Sequence, residues 1–286
     1  MRSFRFVTVD VFTDRRFGGN PLAVFPDARG MADHEMQALA AEFNLSETTF
    51  VLPPADPQNT ARVRIFNRRA EMPFAGHPNV GTAWVLRGRG RKLRFEEIAG
   101  LVEVEIDGDS ATIAAPQPLS LGPEMPAELL AGCVGIAATE VVTARHRPVI
   151  ASVGNSFVVA EVTGEALSKA APDIGRFREA WARFTHLGPN RLPIYLYAPD
   201  GERARTRMFS PLSGTIEDPA TGSAATPLAA LLLSLGKEQE RRYDIVQGVE
   251  MGRPSRLLCR AYRAADGIRA SVGGGCVPVL EGEVSL

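Results

Sequence analysis

The chain repeats itself. Arg64-Ile-Phe-Asn is followed by a loop to Pro73-Phe-Ala-Gly-His-Pro-Asn-Val-Gly and then by a helical stretch that is apolar nearly all round. Arg207-Met-Phe-Ser is followed by a loop to Glu217-Asp-Pro-Ala-Thr-Gly-Ser and by a second apolar helical stretch. Each copy runs strand, proline-containing loop, polar residue before proline, glycine, helix. A helix without a polar face is normally buried, so other structure must surround it. The repeat therefore predicts an α/β (α+β) protein of two pseudo-symmetric domains, each a curled β-sheet or barrel around a central helix. The competing reading is coincidence between short motifs. If the halves face each other, the cleft between them would receive both helix N-termini, whose unpaired N–H groups suit a carboxylate.

The rest of the pattern is consistent with that architecture. Strand signals occur at 4–11, 48–52, 61–66, 101–106 and 111–114, with a turn at Phe17-Gly-Gly-Asn-Pro21. Met36, Leu39, Ala40 and Phe43 share one helical face, and Pro78 to Leu86 is the first apolar helix. Further strands are expected at 141–143, 157–162, 194–198, 204–209, 243–246, 255–262 and 268–272, with the second apolar helix from Gly222 to Leu235. Four prolines between Ala115 and Pro126 predict an extended linker. The expected domains are 1–116 and 126–275, joined by 117–125, with a last strand at 276–286 packing back on the first domain. Gly273-Gly-Gly275 has no helix behind it and is expected to be a hairpin turn.

Composition narrows the function. Of 286 residues, 32 are Lys or Arg and 33 Asp or Glu, a net charge of −1, which gives no general attraction for nucleic acid or an anionic membrane. The local basic cluster Arg87, Arg89, Arg91, Lys92 and Arg94 is expected to be a solvated turn after a helix. The longest apolar run, Leu228 to Leu235, is far short of the ~20 residues a membrane span requires. No secretory leader pattern opens the chain. Cys133, Cys259 and Cys276 are scattered, and no histidine pair has ligand spacing, so a reducing cytoplasm and no metal are expected. No P-loop and no Gly-x-Ser-x-Gly elbow is present.

Three places carry candidate chemistry. Glu47, in Asn44-Leu-Ser-Glu-Thr-Thr-Phe-Val51, is expected to end a helix and to precede an apolar strand. Burial there would raise its pKa and make it a usable acid and base, or nearby N–H groups and hydroxyls could simply satisfy it. His77 precedes a proline suited to a helix start, where it could shuttle protons or close the helix boundary. Asp218-Pro219 fits a helix N-cap, Gly222 would admit a close approach to the backbone, and Ser223 adds a hydroxyl. Groups from two halves opposed across a planar carbon could move a proton without a cofactor.

Asn44-Leu-Ser-Glu-Thr-Thr-Phe, Pro73-Phe-Ala-Gly-His-Pro, Glu217-Asp-Pro-Ala-Thr-Gly-Ser-Ala and Gln247-Gly-Val-Glu-Met-Gly-Arg-Pro-Ser together resemble the signature stretches of the PhzF phenazine-biosynthesis family, as do Val9-Asp-Val-Phe and Gly19-Asn-Pro-Leu-Ala-Val-Phe. The resemblance runs in order from residue 9 to residue 255. It implies a diaminopimelate-epimerase-like fold, usually a homodimer. It further implies Glu47 as the proton-transferring acid/base, His77, Asp218 and Ser223 lining the site, Gly76 and Gly222 at the two helix starts, and Asn20 beside them. The implied reaction needs no cofactor: isomerisation of trans-2,3-dihydro-3-hydroxyanthranilate by transfer of a proton from C3 to C1. The related amino-acid epimerases place a cysteine at each helix start, whereas Ala75 and Thr221 are among the loop residues here, so a two-thiol mechanism is not expected. An isomerase or epimerase of another small metabolite is the alternative, and a non-catalytic member that binds a small molecule or a partner is the other.

Overall fold

The computed structural model describes residues 2–286, which divide into two compact units: the chain up to Ala114 together with Gly273–Leu286, and Ala115–Val272.

In the first unit, β1 (Ser3–Val11) lies antiparallel between β2 (Asn20–Phe25) and the distal part of β18 (Gly267–Ser285). Strand β2 runs parallel to β3 (Glu47–Leu52), which pairs antiparallel with β4 (Ala61–Phe66). Strand β4 carries the short β5 (Glu71–Met72) and runs parallel to β6 (Lys92–Glu97). From β6 the order continues through β7 (Gly100–Asp107) and β8 (Ser110–Ala114), and β8 returns to β18. Eight strands thus close into a barrel without a free edge. Helix α2 (Gly76–Val85) fills it, with every residue but Val85 buried. Gly81 makes this fit possible, since a Cβ there would stand 2.6 Å from Leu22 Cδ2 and 2.8 Å from Val11 Cγ2. Helix α1 (Asp33–Phe43) turns Met36, Leu39 and Ala40 onto a second cluster that contains Phe25, Phe50 and Phe66.

The second unit repeats the plan. Its strand order is β9 (Ser120–Glu124), β11 (Val149–Ser152), β12 (Ser156–Val162), β13 (Ile194–Asp200), β14 (Arg203–Ser210), β16 (Glu240–Gln247) and β17 (Ser255–Ala264). Strand β10 (Val141–Val142) pairs with β12, and β15 (Thr215–Asp218) with β14. Helix α6 (Gly222–Ser234) packs against β11, β12, β16 and β17 and is buried on most sides. Three shorter helices, α3 (Ala127–Val134), α4 (Gly164–Lys169) and α5 (Ile174–Arg183), contribute Leu130, Leu167 and Phe177 to a separate core cluster. No helix among the described residues is long and apolar enough to cross a membrane.

The duplication is structural and not a coincidence of motifs. Arg64 forms a two-pronged ion pair with Glu71 at 2.7 and 2.6 Å, and Arg207 forms the same fork with Glu217 at 2.8 and 2.8 Å. Each guanidinium also lies over the ring two residues on, Phe66 at 5.1 Å and Phe209 at 4.8 Å. Ile65 stands opposite Met72 as Met208 stands opposite Asp218.

Two local expectations fail. The proline-rich run before Pro126 is not a spacer throughout, because Ser120–Glu124 forms β9 and pairs with β11. Gly273-Gly-Gly275 is not a hairpin turn but lies within β18. Those glycines permit close packing: a Cβ on Gly273 would stand 2.2 Å from Thr112 Oγ1, and one on Gly275 2.9 Å from the Thr13 carbonyl oxygen.

Candidate active site

Three elements of the first unit converge at the start of α2. Helix α1 ends at Asn44, whose left-handed φ of 52° is the conformation asparagine tolerates best among residues with a side chain. Three residues later Glu47 opens β3, opposite Leu22 of β2, and is not the end of a helix as the sequence suggested. Asn20 opens β2 and is fully buried. Ser46 Oγ donates to Asn20 Oδ1 at 3.2 Å, and Asn20 Nδ2 lies 3.5 Å from His77 Nδ1. The same nitrogen is 3.4 Å from Glu47 Oε2. Gly76 and His77 are the first two residues of α2, so Pro78 sits in its first turn, where a missing N–H costs nothing. Asn79 Nδ2 donates to the Ala75 carbonyl at 3.0 Å and fixes the loop before the helix.

The electrostatics of this cluster follow from burial. His77 is 6% exposed, and burial pushes its pKa down to about 3, so its imidazole is uncharged at neutral pH. Its Nε2 is buried without a hydrogen-bond partner in the structure. A neutral imidazole with one nitrogen at a carboxyl group can donate or accept a hydrogen bond there, according to its tautomer, as the carboxyl changes charge. The Glu47 side chain is 16% exposed.

In the second unit the corresponding loop is tied from all sides. Asp218 ends β15 and accepts a hydrogen bond from the Thr221 hydroxyl at 2.6 Å. Gln247, fully buried at the end of β16, donates from Nε2 to the Asp218 carbonyl at 2.7 Å and to Thr221 Oγ1 at 3.0 Å. Its Oε1 accepts from the Thr221 N–H at 3.2 Å and lies 3.1 Å from the Tyr195 hydroxyl. Ser255 Oγ donates to the Pro219 carbonyl at 2.8 Å. Gly222 and Ser223 follow as the first residues of α6. The N-cap of α6 is Thr221 and not Asp218, because β15 continues through Asp218 in register with Met208.

The expected residues thus fall into two groups. Asn20, Glu47, Gly76 and His77 meet within the first unit, and Asp218, Gly222 and Ser223 within the second. Gln247, Thr221 and Ser46 escaped the sequence reading as site residues. Gln247 stood inside a recognised stretch, but only the strand register shows that its side chain reaches the α6 loop. The three cysteines are buried, and burial pushes Cys133 and Cys276 up to about 12. None of them stands in the loop before α2 or the loop before α6.

A family model described as phenazine biosynthesis-like protein, PhzC-PhzF, matches residues 9–282. The chain belongs to the PhzF family. Among its relatives is trans-2,3-dihydro-3-hydroxyanthranilate isomerase of Pseudomonas aeruginosa, 38% identical over 99% of both chains. The PhzF-family phenazine biosynthesis protein of Bacillus anthracis has the same fold, with a TM-score of 0.88, 24% identity and full coverage of both chains. A hydroxyproline epimerase from Agrobacterium vitis shares the architecture at a TM-score of 0.64 and 13% identity, over 100% of this chain and 93% of its own. This PhzF protein is an isomerase.

Proposed function

We propose that this PhzF protein isomerises trans-2,3-dihydro-3-hydroxyanthranilate, with Glu47 taking the proton from C3 and returning one to C1, after which the enol formed relaxes to the ketone. The observation that carries the reading is the pairing of Glu47 with an uncharged, buried His77 at 3.4 Å, in a chain 38% identical to an isomerase of that name. A carboxylate held against apolar strand and neutral imidazole has little solvent to compete for its proton and can work in both directions. His77 is proposed to steer the carboxyl group through Nδ1 while Nε2 faces the reacting molecule, with Asn20 fixing the ring. The backbone N–H groups at Gly76 suit the substrate carboxylate. Asp218, Ser223 and Gly222, at the matching helix start of the second unit, are proposed to act in the same reaction. No cofactor is required for a proton transfer of this kind, and a homodimer in the cytoplasm is the proposed setting.

The test is proton NMR of trans-2,3-dihydro-3-hydroxyanthranilate with the enzyme in deuterated water, beside Glu47→Gln. Loss of the C3 signal with deuterium at C1, absent in the variant, is the expected outcome. An untouched substrate would refute this substrate and send the search to other small carboxylates. Full activity in Glu47→Gln would refute the role of Glu47.

A further inference from the structure

The duplication assigns a counterpart to Gln247. In the second unit Ala204, Arg205 and Thr206 of β14 stand opposite Ile245, Val246 and Gln247 of β16. In the first unit Ala61 and Arg62 of β4 stand opposite Phe95 and Glu96 of β6. Arg64 matches Arg207, so Ala61 matches Ala204 and Arg62 matches Arg205. One step further along, Glu97 holds the place of Gln247. It ends β6 as Gln247 ends β16, beside the loop that starts the buried helix.

Glu97 is an unusual residue for that place. Both of its carboxyl oxygens are buried, and neither makes a hydrogen bond of normal geometry. No ion pair reaches it among the described residues. Of the charged groups on adjoining elements, Arg62 of β4 is exposed, and the others are engaged elsewhere: Glu71 of β5 with Arg64, Glu96 with the N–H groups of Ala55 and Asp56 and with Asn59, and Arg94 with Glu103 of β7. Glu47 and His77 face each other at the α2 start. The polar group beside Glu97 is the amide of Asn79, whose Nδ2 holds the Ala75 carbonyl. A buried carboxylate with so little support would be very costly, whereas a carboxylic acid is close in shape to the glutamine amide, with one donor and one acceptor.

We infer that Glu97 carries a proton at neutral pH and acts as a positioning residue, bracing Asn79 and the loop 73–76 as Gln247 braces the loop 218–221. Burial, partly offset by Asn79, pushes its pKa up to about 8, in keeping with that role. The activity part of the inference rests on the proposed function at the α2 start, but the structural part does not. The sign of its pH dependence is fixed. The unfolded chain releases this proton near the usual glutamate value, while the folded chain keeps it to about 8, so the stabilising effect is complete at acid pH and is lost as pH rises through about 8.

The experiment uses the whole protein as wild type, Glu97→Gln and Glu97→Ala. Infrared difference spectra with carboxyl-labelled glutamate should show a protonated carboxyl at pH 6.5 that disappears near pH 8 and is missing from both variants. Amide hydrogen exchange at Gly76, His77 and Asn79 should quicken about tenfold in wild type from pH 6.5 to 9 beyond the intrinsic rate change, and by a similar factor in Glu97→Ala at pH 6.5. Glu97→Gln should exchange slowly at both pH values and, if the isomerase reading holds, keep kcat while losing the alkaline fall in the wild-type profile. An ionised Glu97 at pH 6.5, or Glu97→Gln as loose as Glu97→Ala, overturns the inference. Because the spectra and the exchange need no substrate, they decide it even if the proposed substrate is wrong, and the spectra need only wild type and one folded variant.

Discussion

Gln247 grips Thr221 twice, accepting its N–H on Oε1 at 3.2 Å and donating from Nε2 to its hydroxyl at 3.0 Å. The hydroxyl in turn donates to Asp218. The placement of the Asp218 carboxylate therefore depends on a residue far away in sequence.

That dependence can be measured. Gln247→Leu leaves the Asp218 carbonyl and the Thr221 N–H buried without their side-chain partner. Each such loss costs about 1–3 kcal/mol, so the variant should unfold in urea with about 2–6 kcal/mol less stability. Its kcat should fall more than its KM rises, since the loop remains present but loosely aimed. A variant as stable as wild type would show that the loop is held by Ser255 and the strand register alone.

Gly19 is a second fixed point. It has φ of +62°, and a Cβ added there would stand 2.3 Å from the Val11 carbonyl oxygen, a backbone atom that cannot turn away. Gly19→Ala combines left-handed strain with a clash directly before Asn20. The expected loss is about 2–4 kcal/mol in chemical denaturation. Gly30, also at positive φ but with nothing near its Cβ position, is the control, and Gly30→Ala should lose about 1 kcal/mol.

The two arginine forks should respond unequally to Arg→Lys, which removes the paired geometry but keeps the charge. Arg207 is 7% exposed and also donates to the Leu167 and Ala170 carbonyls at 3.0 and 2.7 Å. Beyond Glu71, Arg64 is paired with Asp33, whose side chain is 81% exposed. Arg207→Lys should therefore cost about 3 kcal/mol and Arg64→Lys about half that, read from urea midpoints. Equal costs would mean that the forks alone, without the backbone carbonyls, account for the effect.

Much of this was legible in the sequence because the informative signals were local. Apolar helices without a polar face announced two buried centres, and the repeated Arg-x-Phe before each one marked β4 and β14. What escaped depends on register. Asp218-Pro219 looked like a helix cap because spacing cannot show that β15 runs on to Asp218 beside Met208. Gly273-Gly-Gly275 looked like a turn because a glycine needed for close packing on Thr112 reads the same as one needed for a bend. Glu97 gave no signal at all. An acidic residue at the end of an exposed-looking strand, Lys-Leu-Arg-Phe-Glu-Glu, becomes informative only when the second unit shows Gln247 in its place.

His77 provides the sharpest test of the electrostatics. Its pKa in the folded protein is about 3, against an ordinary value near 6.5, because burial excludes the charged form. Below about pH 6.5 the unfolded chain binds a proton here that the folded chain refuses, so this group favours unfolding progressively as pH falls towards 3. The slope reaches about 1.4 kcal/mol per pH unit where the difference is one whole proton. His77→Gln has no such proton to bind. Between pH 6 and pH 4.5, urea unfolding of wild type should therefore lose about 1–2 kcal/mol more stability than unfolding of His77→Gln, while the two curves run parallel above pH 7.5. Glu97 titrates in both proteins and cancels in the comparison. Parallel curves throughout would mean that His77 accepts a proton in the folded state, and with it that Glu47 faces an imidazolium and not a neutral ring.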